Sequence, residues 1–325
     1  MKKKSWMSIV FSVVLMMSLV LNSIGAFAAT RDVPLVSLIT WNLSDQQAFR
    51  QSMPYVGTSA VRVLPDFEGT VTQLTASPRI IIGTDTRVRV HNAYQTNPYS
   101  RIGRVVITYD TPEGIQSYSA TGWLFGKNVI MTAAHAVYRH EFESFPTSVK
   151  FEPARNGDEI SYPDVNITDV IVPQIYIDQK ERNLPRVRHD YAILIADQDI
   201  GLQYGYFGAR YQMGSLVDNG GLVTGYPGDL SQNGVELYRA MGMIVADNGQ
   251  ILDHTVDTAN GDSGAPLYVY WDENGWVALG VHVGEAIEYS NRNCAARITT
   301  ELIEVMYQYR TNNVDPGEPY VLGTQ

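Results

Sequence analysis

The sequence predicts an all-β protein built from two small β-barrels, divided near residue 200 and followed by one C-terminal helix. Three observations carry this. From about residue 80 onward the chain is a series of short apolar runs, such as residues 104–109 and 122–125, broken by Gly, Asn, Asp or Pro, the pattern of short strands joined by turns. Two tight-turn signals lie between such runs. Gly126-Lys127-Asn128 separates residues 123–125 from 129–131, and Asp272-Glu273-Asn274-Gly275 separates residues 267–271 from 276–279. Only residues 299–311 read as a helix, with Thr299 and Thr300 as capping hydroxyls, acids early in the segment and apolar residues three to four apart. No repeat of solenoid or propeller period and no low-complexity stretch is present.

The chain has 325 residues, 45% of them hydrophobic and 18% charged, which is enough apolar material for a sizeable core and excludes disorder as the default. Three lysines after Met1, an apolar run from Ile9 to Leu21 and Ala26-Phe27-Ala28 have the layout of a secretory signal peptide, expected to span residues 1–28. The run is short for a bilayer span, so the expected product is secreted, extracellular and off the membrane once the signal is removed. Residues 29–79 read as a pro-segment ending in Pro78-Arg79, and residues 80–325 as one further domain. Within it, barrel one is expected at about 80–200, barrel two at about 201–297 and the helix at about 299–311. A single cysteine, Cys294, rules out an intrachain disulfide and reads as a small core residue. The net charge is −10, and the part from Ile80 is more acidic still. That excludes nucleic acid as a partner, because phosphate binding relies on clustered Lys and Arg.

Gly261-Asp262-Ser263-Gly264 is the sharpest chemical signal. Glycines on both sides of a serine let the backbone turn tightly and direct a hydroxyl and free N–H groups into one cleft. A serine hydroxyl is a poor nucleophile until a base takes its proton. Thr132-Ala133-Ala134-His135 supplies an imidazole just past a predicted strand, with small neighbours around it. The imidazole in turn needs a carboxylate to hold its tautomer, and Asp190 stands at the mouth of the apolar strand 191–195. Alone, such an acid reads more readily as a turn residue than as a functional one. Three signals in the order His, Asp, Ser, each at a strand edge, point together to serine peptidase chemistry.

These blocks resemble those of the trypsin clan: Thr132-Ala133-Ala134-His135, Asp190-Tyr191-Ala192-Ile193 and Gly261-Asp262-Ser263-Gly264-Ala265-Pro266. Within that clan the chain is similar to the bacterial glutamyl endopeptidases, through Ile82-Gly83-Thr84-Asp85-Thr86-Arg87, Gly205-Tyr206-Phe207-Gly208, Thr224-Gly225-Tyr226-Pro227-Gly228-Asp229 and Gly280-Val281-His282. The resemblance implies two chymotrypsin-like Greek-key barrels and a secreted serine endopeptidase acting on protein or peptide substrates. Ser263 would be the nucleophile, His135 the general base and acid, Asp190 its orienter, and the N–H groups of Gly261 and Ser263 the oxyanion hole. Cleavage is expected after Glu and then Asp, with His282 and Thr258 binding the acidic side chain. An activating protease would cut between Arg79 and Ile80, and the new amino group of Ile80 would serve the substrate or pair with Asp262. No His-Glu-x-x-His pattern occurs, and His91, His140, His189 and His254 lack ligand-like spacing, so neither metal nor cofactor is expected.

Two residues pull the other way. Asp257 stands where trypsin carries its basic-specificity aspartate, which makes cleavage after Arg or Lys the alternative. Glu285, three residues after His282, would repel an acidic substrate if it pointed inward. A catalytically silent binding protein on the same fold is a third reading, and its usual sign, loss of a triad residue or oxyanion glycine, is missing here.

Overall fold

The computed structural model describes residues 35–54, 60–68, 85–157, 163–312, 314 and 317–322. The expected signal peptide and the expected cut between Arg79 and Ile80 lie outside these residues. The first strands are β1 (Leu35–Asn42), β2 (Gln47–Pro54), β3 (Val61–Leu64) and β4 (Val88–Arg89). Next come β5 (Ile102–Thr111), β6 (Gly114–Leu124), β7 (Val129–Thr132), β8 (Ser148–Pro153), β9 (Val165–Pro173) and β10 (Ala192–Ala196). The chain continues through β11 (Gly208–Gln212), β12 (Gly220–Gly225), β13 (Tyr238–Asp247), β14 (Ile251–His254), β15 (Pro266–Trp271), β16 (Gly275–Glu285), β17 (Asn293–Arg297) and β18 (Glu318–Tyr320).

Strands β5 to β10 run in the order β10-β7-β6-β5-β8-β9 and close on themselves because β10 also pairs with β9. Strands β12 to β17 repeat the plan in the order β15-β12-β13-β14-β17-β16, closed by β15 on β16. In each barrel three consecutive strands form a meander and the fourth returns beside the first, which is a Greek key. Both predicted hairpins are present, β6–β7 with the Phe125 N–H on the Val129 carbonyl at 2.8 Å and β15–β16 turning at Gly275 with φ 69°. The helix spans Thr300–Arg310, and the Thr299 hydroxyl accepts from the Leu302 N–H at 3.2 Å as its cap.

Alternation along the strands places the cores. In β5 Val105, Ile107 and Tyr109 face inward and pack with Leu124, Ile130 and Phe151 inside the first barrel. Val223, Ile244, Leu252, Leu267 and Leu279 fill the second. A third cluster joins the two, with Trp123, Met131 and Ile193 from one barrel meeting Phe207, Tyr268 and Val281 from the other, closed by Leu302 and Met306 of the helix. Trp123 and Phe207 meet edge to face at 5.7 Å, as do Phe207 and Tyr268 at 5.1 Å; such pairs add about 0.5–1.5 kcal/mol each beyond the area they bury. This seam fixes how the loops that follow β7 and precede β15 face each other.

Residues upstream of the expected cut take part in both sheets. The β1–β2 hairpin extends the first sheet by pairing β1 with β9, and β18 adds to β2. Strand β3 pairs with β11, which lies parallel to β16. Between them Asp66 accepts from the Arg101 guanidinium at 2.7 Å and from the Trp276 N–H at 3.1 Å. The Arg101 side chain is 0% exposed, so in this uncut chain its charge is matched by an acid from the expected pro-segment.

Candidate active site

The pairing of β7 with β10 brings the histidine and the aspartate together. Thr132 lies opposite Ala192, and continuing that antiparallel register by two residues sets Asp190 beside Ala134 and His135. His135 sits on the single helical turn Ala134–Val137 that follows β7. Asp190, buried at 4% exposure, accepts twice: Oδ1 from the His135 backbone N–H and Oδ2 at Nδ1, both at 2.9 Å. A carboxylate offers acceptors only, so the proton of a neutral imidazole is held on Nδ1 and Nε2 is left as the basic atom.

Ser263 stands on the turn between β14 and β15. Gly261 has φ 106° and Gly264 φ 86°, in the left-handed region that favours glycine. A Cβ on Gly261 would lie 2.2 Å from the Tyr226 carbonyl oxygen, and one on Gly264 would lie 2.3 Å from the Thr132 hydroxyl, so both the conformation and the space demand glycine. The turn is tied down by the Asp262 N–H on the Ala259 carbonyl and the Gly264 N–H on the His282 carbonyl. The N–H groups of Gly261 and Ser263 have no partner among the described residues.

His135, Gly261 and Ser263 line one cavity of about 320 Å³ at the junction of the barrels, with Ala120, Asn260 and Arg139. A serine hydroxyl, an imidazole oriented by a carboxylate and two unpartnered N–H groups beside one open space are the parts on which acyl transfer draws. Asp262, by contrast, turns inward. It is 3% exposed, accepts from the Ala259 N–H at 2.8 Å, and pairs with no cation among the described residues. Burial pushes its carboxyl up to about 7, against the opposing hydrogen bond from Ala259.

The expected specificity residues are placed as follows. His282 lies on β16, 1% exposed, and Thr258 is half-buried on the loop leading to the nucleophile; neither lines the cavity of His135 and Ser263. Ile80 lies outside the described residues. His282 Nδ1 is 3.3 Å from Nε2 of the buried His254, whose own Nδ1 accepts from the Val256 N–H at 3.3 Å. With the Val256 N–H on its Nδ1, His254 carries its proton on Nε2, towards His282, and the Cys294 backbone is a further hydrogen-bond partner of the His282 ring. Burial holds His282 well below the ordinary imidazole range and takes His254 down to about 3, so both imidazoles are neutral here. Asp257 is exposed and accepts from the Thr86 N–H at 3.0 Å and the Thr86 hydroxyl at 2.6 Å. The Glu285 side chain is exposed as well, while its carbonyl takes Arg182 and the Cys294 thiol.

Sequence reading passed over Thr121 and took His254 as surface or structural. The Thr121 N–H donates to the Ser263 carbonyl at 2.9 Å, and its hydroxyl donates to the Gly261 carbonyl at 2.8 Å and accepts from the Tyr226 N–H at 3.0 Å. It ties the nucleophile turn to the first barrel, and a lone strand threonine carries no signal of that. Cys294 is buried, as expected, and burial raises its thiol to about 12, which keeps it a thiol rather than a nucleophilic thiolate.

No protein-family model matches the chain. A glutamyl endopeptidase of Bacillus licheniformis is 28% identical over 240 residues, covering 73% of this chain and 71% of that protein. A Bacillus subtilis protein named extracellular metalloprotease is 27% identical over 279 residues, 82% of each chain. That name implies a metal, but among the described residues here no group of three or more His, Cys, Asp or Glu is placed to hold an ion, so the residues present do not fit one. Among solved structures, a Glu endopeptidase in complex with MPD matches at TM-score 0.59 with 25% identity, over 71% of this chain and 100% of that one. The protease Anisep from Arthrobacter nicotinovorans, 18% identical, shares the fold at TM-score 0.52 over 66% of this chain and 96% of its own. By its two barrels, the chemistry gathered at their junction and these similarities, the chain is a glutamyl-endopeptidase-like serine endopeptidase of the chymotrypsin fold.

Proposed function

We propose that the chain is the precursor of a secreted endopeptidase that cleaves after Glu, and second after Asp, through an acyl-enzyme on Ser263. The observation that carries this is the paired hydrogen bonding of His135 to Asp190 beside a serine flanked by two unpartnered N–H groups. Ser263 Oγ attacks the scissile carbonyl while His135 Nε2 takes its proton, and Asp190 stabilises the imidazolium that forms. The N–H groups of Gly261 and Ser263 donate hydrogen bonds to the tetrahedral oxyanion, which in comparable sites is worth about 2.7–4 kcal/mol per donor. His135 then protonates the leaving amine, and water attacks the ester by the same steps in reverse.

For specificity, His282 and the Thr258 hydroxyl are the groups offered to the substrate carboxylate, a charge-assisted pairing on the substrate's side. The exposed position of Asp257 and its bonds to Thr86 speak against a floor charge for Arg or Lys, and the outward Glu285 removes the repulsion that it would cause. Activation is a cut between Arg79 and Ile80. The buried, uncompensated Asp262 favours it as the destination of the new amino group, a positive charge near neutral pH. Cleavage of a mixed peptide library by the mature enzyme, read by mass spectrometry, tests this directly. Cuts after Glu support it, cuts after Arg or Lys reassign the pocket to Asp257, and failure of a fluorophosphonate to label Ser263 removes the catalytic reading.

A further inference from the structure

A second and larger cavity, about 1110 Å³, opens beside the one that holds His135 and Ser263. The two share Tyr118, Ser119, Asn260 and Gly261, while His282 and Thr258 line neither. The larger cavity therefore leads away from the side assigned to the acidic residue before the scissile bond. It begins at Gly261, one of the two N–H donors assigned to the oxyanion. Its walls carry three arginines, Arg89, Arg104 and Arg155, against a single acid, Glu236. Arg89 pairs with Glu236 at 2.9 Å and Arg104 with Glu152 at 3.1 Å. Arg155 has no acidic partner among the described residues, and the Nε atoms of all three arginines are buried without a hydrogen-bond partner.

Such a concentration of guanidinium groups runs against the composition of the chain, whose net charge is −10. Arginine's planar fork matches a carboxylate with two parallel hydrogen bonds. An extended peptide advances about 3.3–3.6 Å per residue, so the residues just past the scissile bond are the ones that enter a cavity beginning at Gly261.

We propose that this cavity is a binding site for acidic side chains of the substrate on the C-terminal side of the scissile bond, with Arg155 as its principal cation. The proposal rests on Ser263 being the nucleophile of an endopeptidase. It makes the enzyme selective for acid-rich stretches and not only for the residue before the cut.

The test uses peptides identical up to the cleaved bond and Ala after it, with the next three residues all Glu, all Gln or all Lys. Mature enzyme should show kcat/KM about tenfold higher for Glu than for Gln, the scale of a hydrogen bond to a charged partner, and lowest for Lys. The preference should shrink with added salt. Arg155→Ala should bring the Glu to Gln ratio near one while leaving cleavage of the Gln peptide unchanged, and Arg155→Lys should keep part of the preference. Equal or inverted rates for Glu and Gln in the parent enzyme, or a preference that survives Arg155→Ala, would overturn the proposal. A second readout needs no turnover: calorimetric binding of Ala-Glu-Glu-Glu and Ala-Gln-Gln-Gln to the Ser263→Ala chain. Tighter binding of the first that is lost in Arg155→Ala supports the site, and equal binding refutes it. Absence of fluorophosphonate labelling and of all cleavage would instead defeat the endopeptidase reading, with the binding comparison still deciding the cavity.

Discussion

Replacing Asp262 by Asn in the uncut chain should make the protein more stable, and by an amount that grows with pH. The carboxyl is 3% exposed, makes no ion pair among the described residues, and is raised by burial from 3.8 to about 7 against the weaker pulls of the Ala259 N–H and the Arg87 charge. A group whose folded value is raised adds nothing unfavourable below its unfolded value, where it is protonated in both states. Between about pH 4 and 7 the unfolded chain releases that proton and the folded chain holds it, so stability falls as pH rises through that window. Three units at about 1.4 kcal/mol each set a ceiling of about 4 kcal/mol above pH 7. Asn keeps an acceptor for the Ala259 N–H, which is 2.8 Å from Asp262, and never ionises. The measurement is urea unfolding of Ser263→Ala and of the Ser263→Ala, Asp262→Asn pair, both uncut, at pH 4.5, 6 and 8. The two should differ by only about 1 kcal/mol at pH 4.5 and separate by up to about 4 kcal/mol at pH 8, or roughly 10 °C in Tm. A gap independent of pH, or an Asn form less stable at pH 8, would refute the reasoning. After the cut the sign should reverse if the Ile80 amino group pairs with Asp262, and Asp262→Asn should then slow cleavage of every substrate.

Ser263→Ala should fold normally and retain only ~10³–10⁴ over the uncatalysed rate, and Asp190→Asn should lose about 10⁴-fold through the wrong imidazole tautomer; near-normal turnover by either folded variant would contradict the roles assigned to them. His282→Ala should lower the preference for Glu over Gln before the bond more than it lowers general cleavage, which a peptide series resolves by comparing the two ratios. Asp66→Asn should destabilise the uncut chain by about 3–5 kcal/mol, the scale of stranding one charge of a buried pair. Denaturant unfolding of this variant that matched the parent would show that Arg101, 2.7 Å from Asp66, finds another partner.

The features that could be read from the sequence are local ones. Gly261 and Gly264 are legible because a turn with positive φ and no room for a Cβ admits no other residue. The Thr299 cap and the two hairpins are legible because their chemistry lies within a few residues. The order His135, Asp190, Ser263 is legible because each stands at the end of an apolar strand whose neighbours mark it. Strands β1 and β2 were not, since residues 29–79 carry little turn punctuation and their partners, β9 and β18, lie far along the chain. Thr121 gains its place only when β6 is laid beside the nucleophile turn. The same holds for charge: Asp257 could sit on a pocket floor or at the surface, and only the packing of Thr86 against it shows the latter. His254 and His282 are neutral because they bury each other. Burial, pairing and direction are properties of residues distant in the chain and adjacent in space, and the closing of two barrels on one seam decides which residues those are.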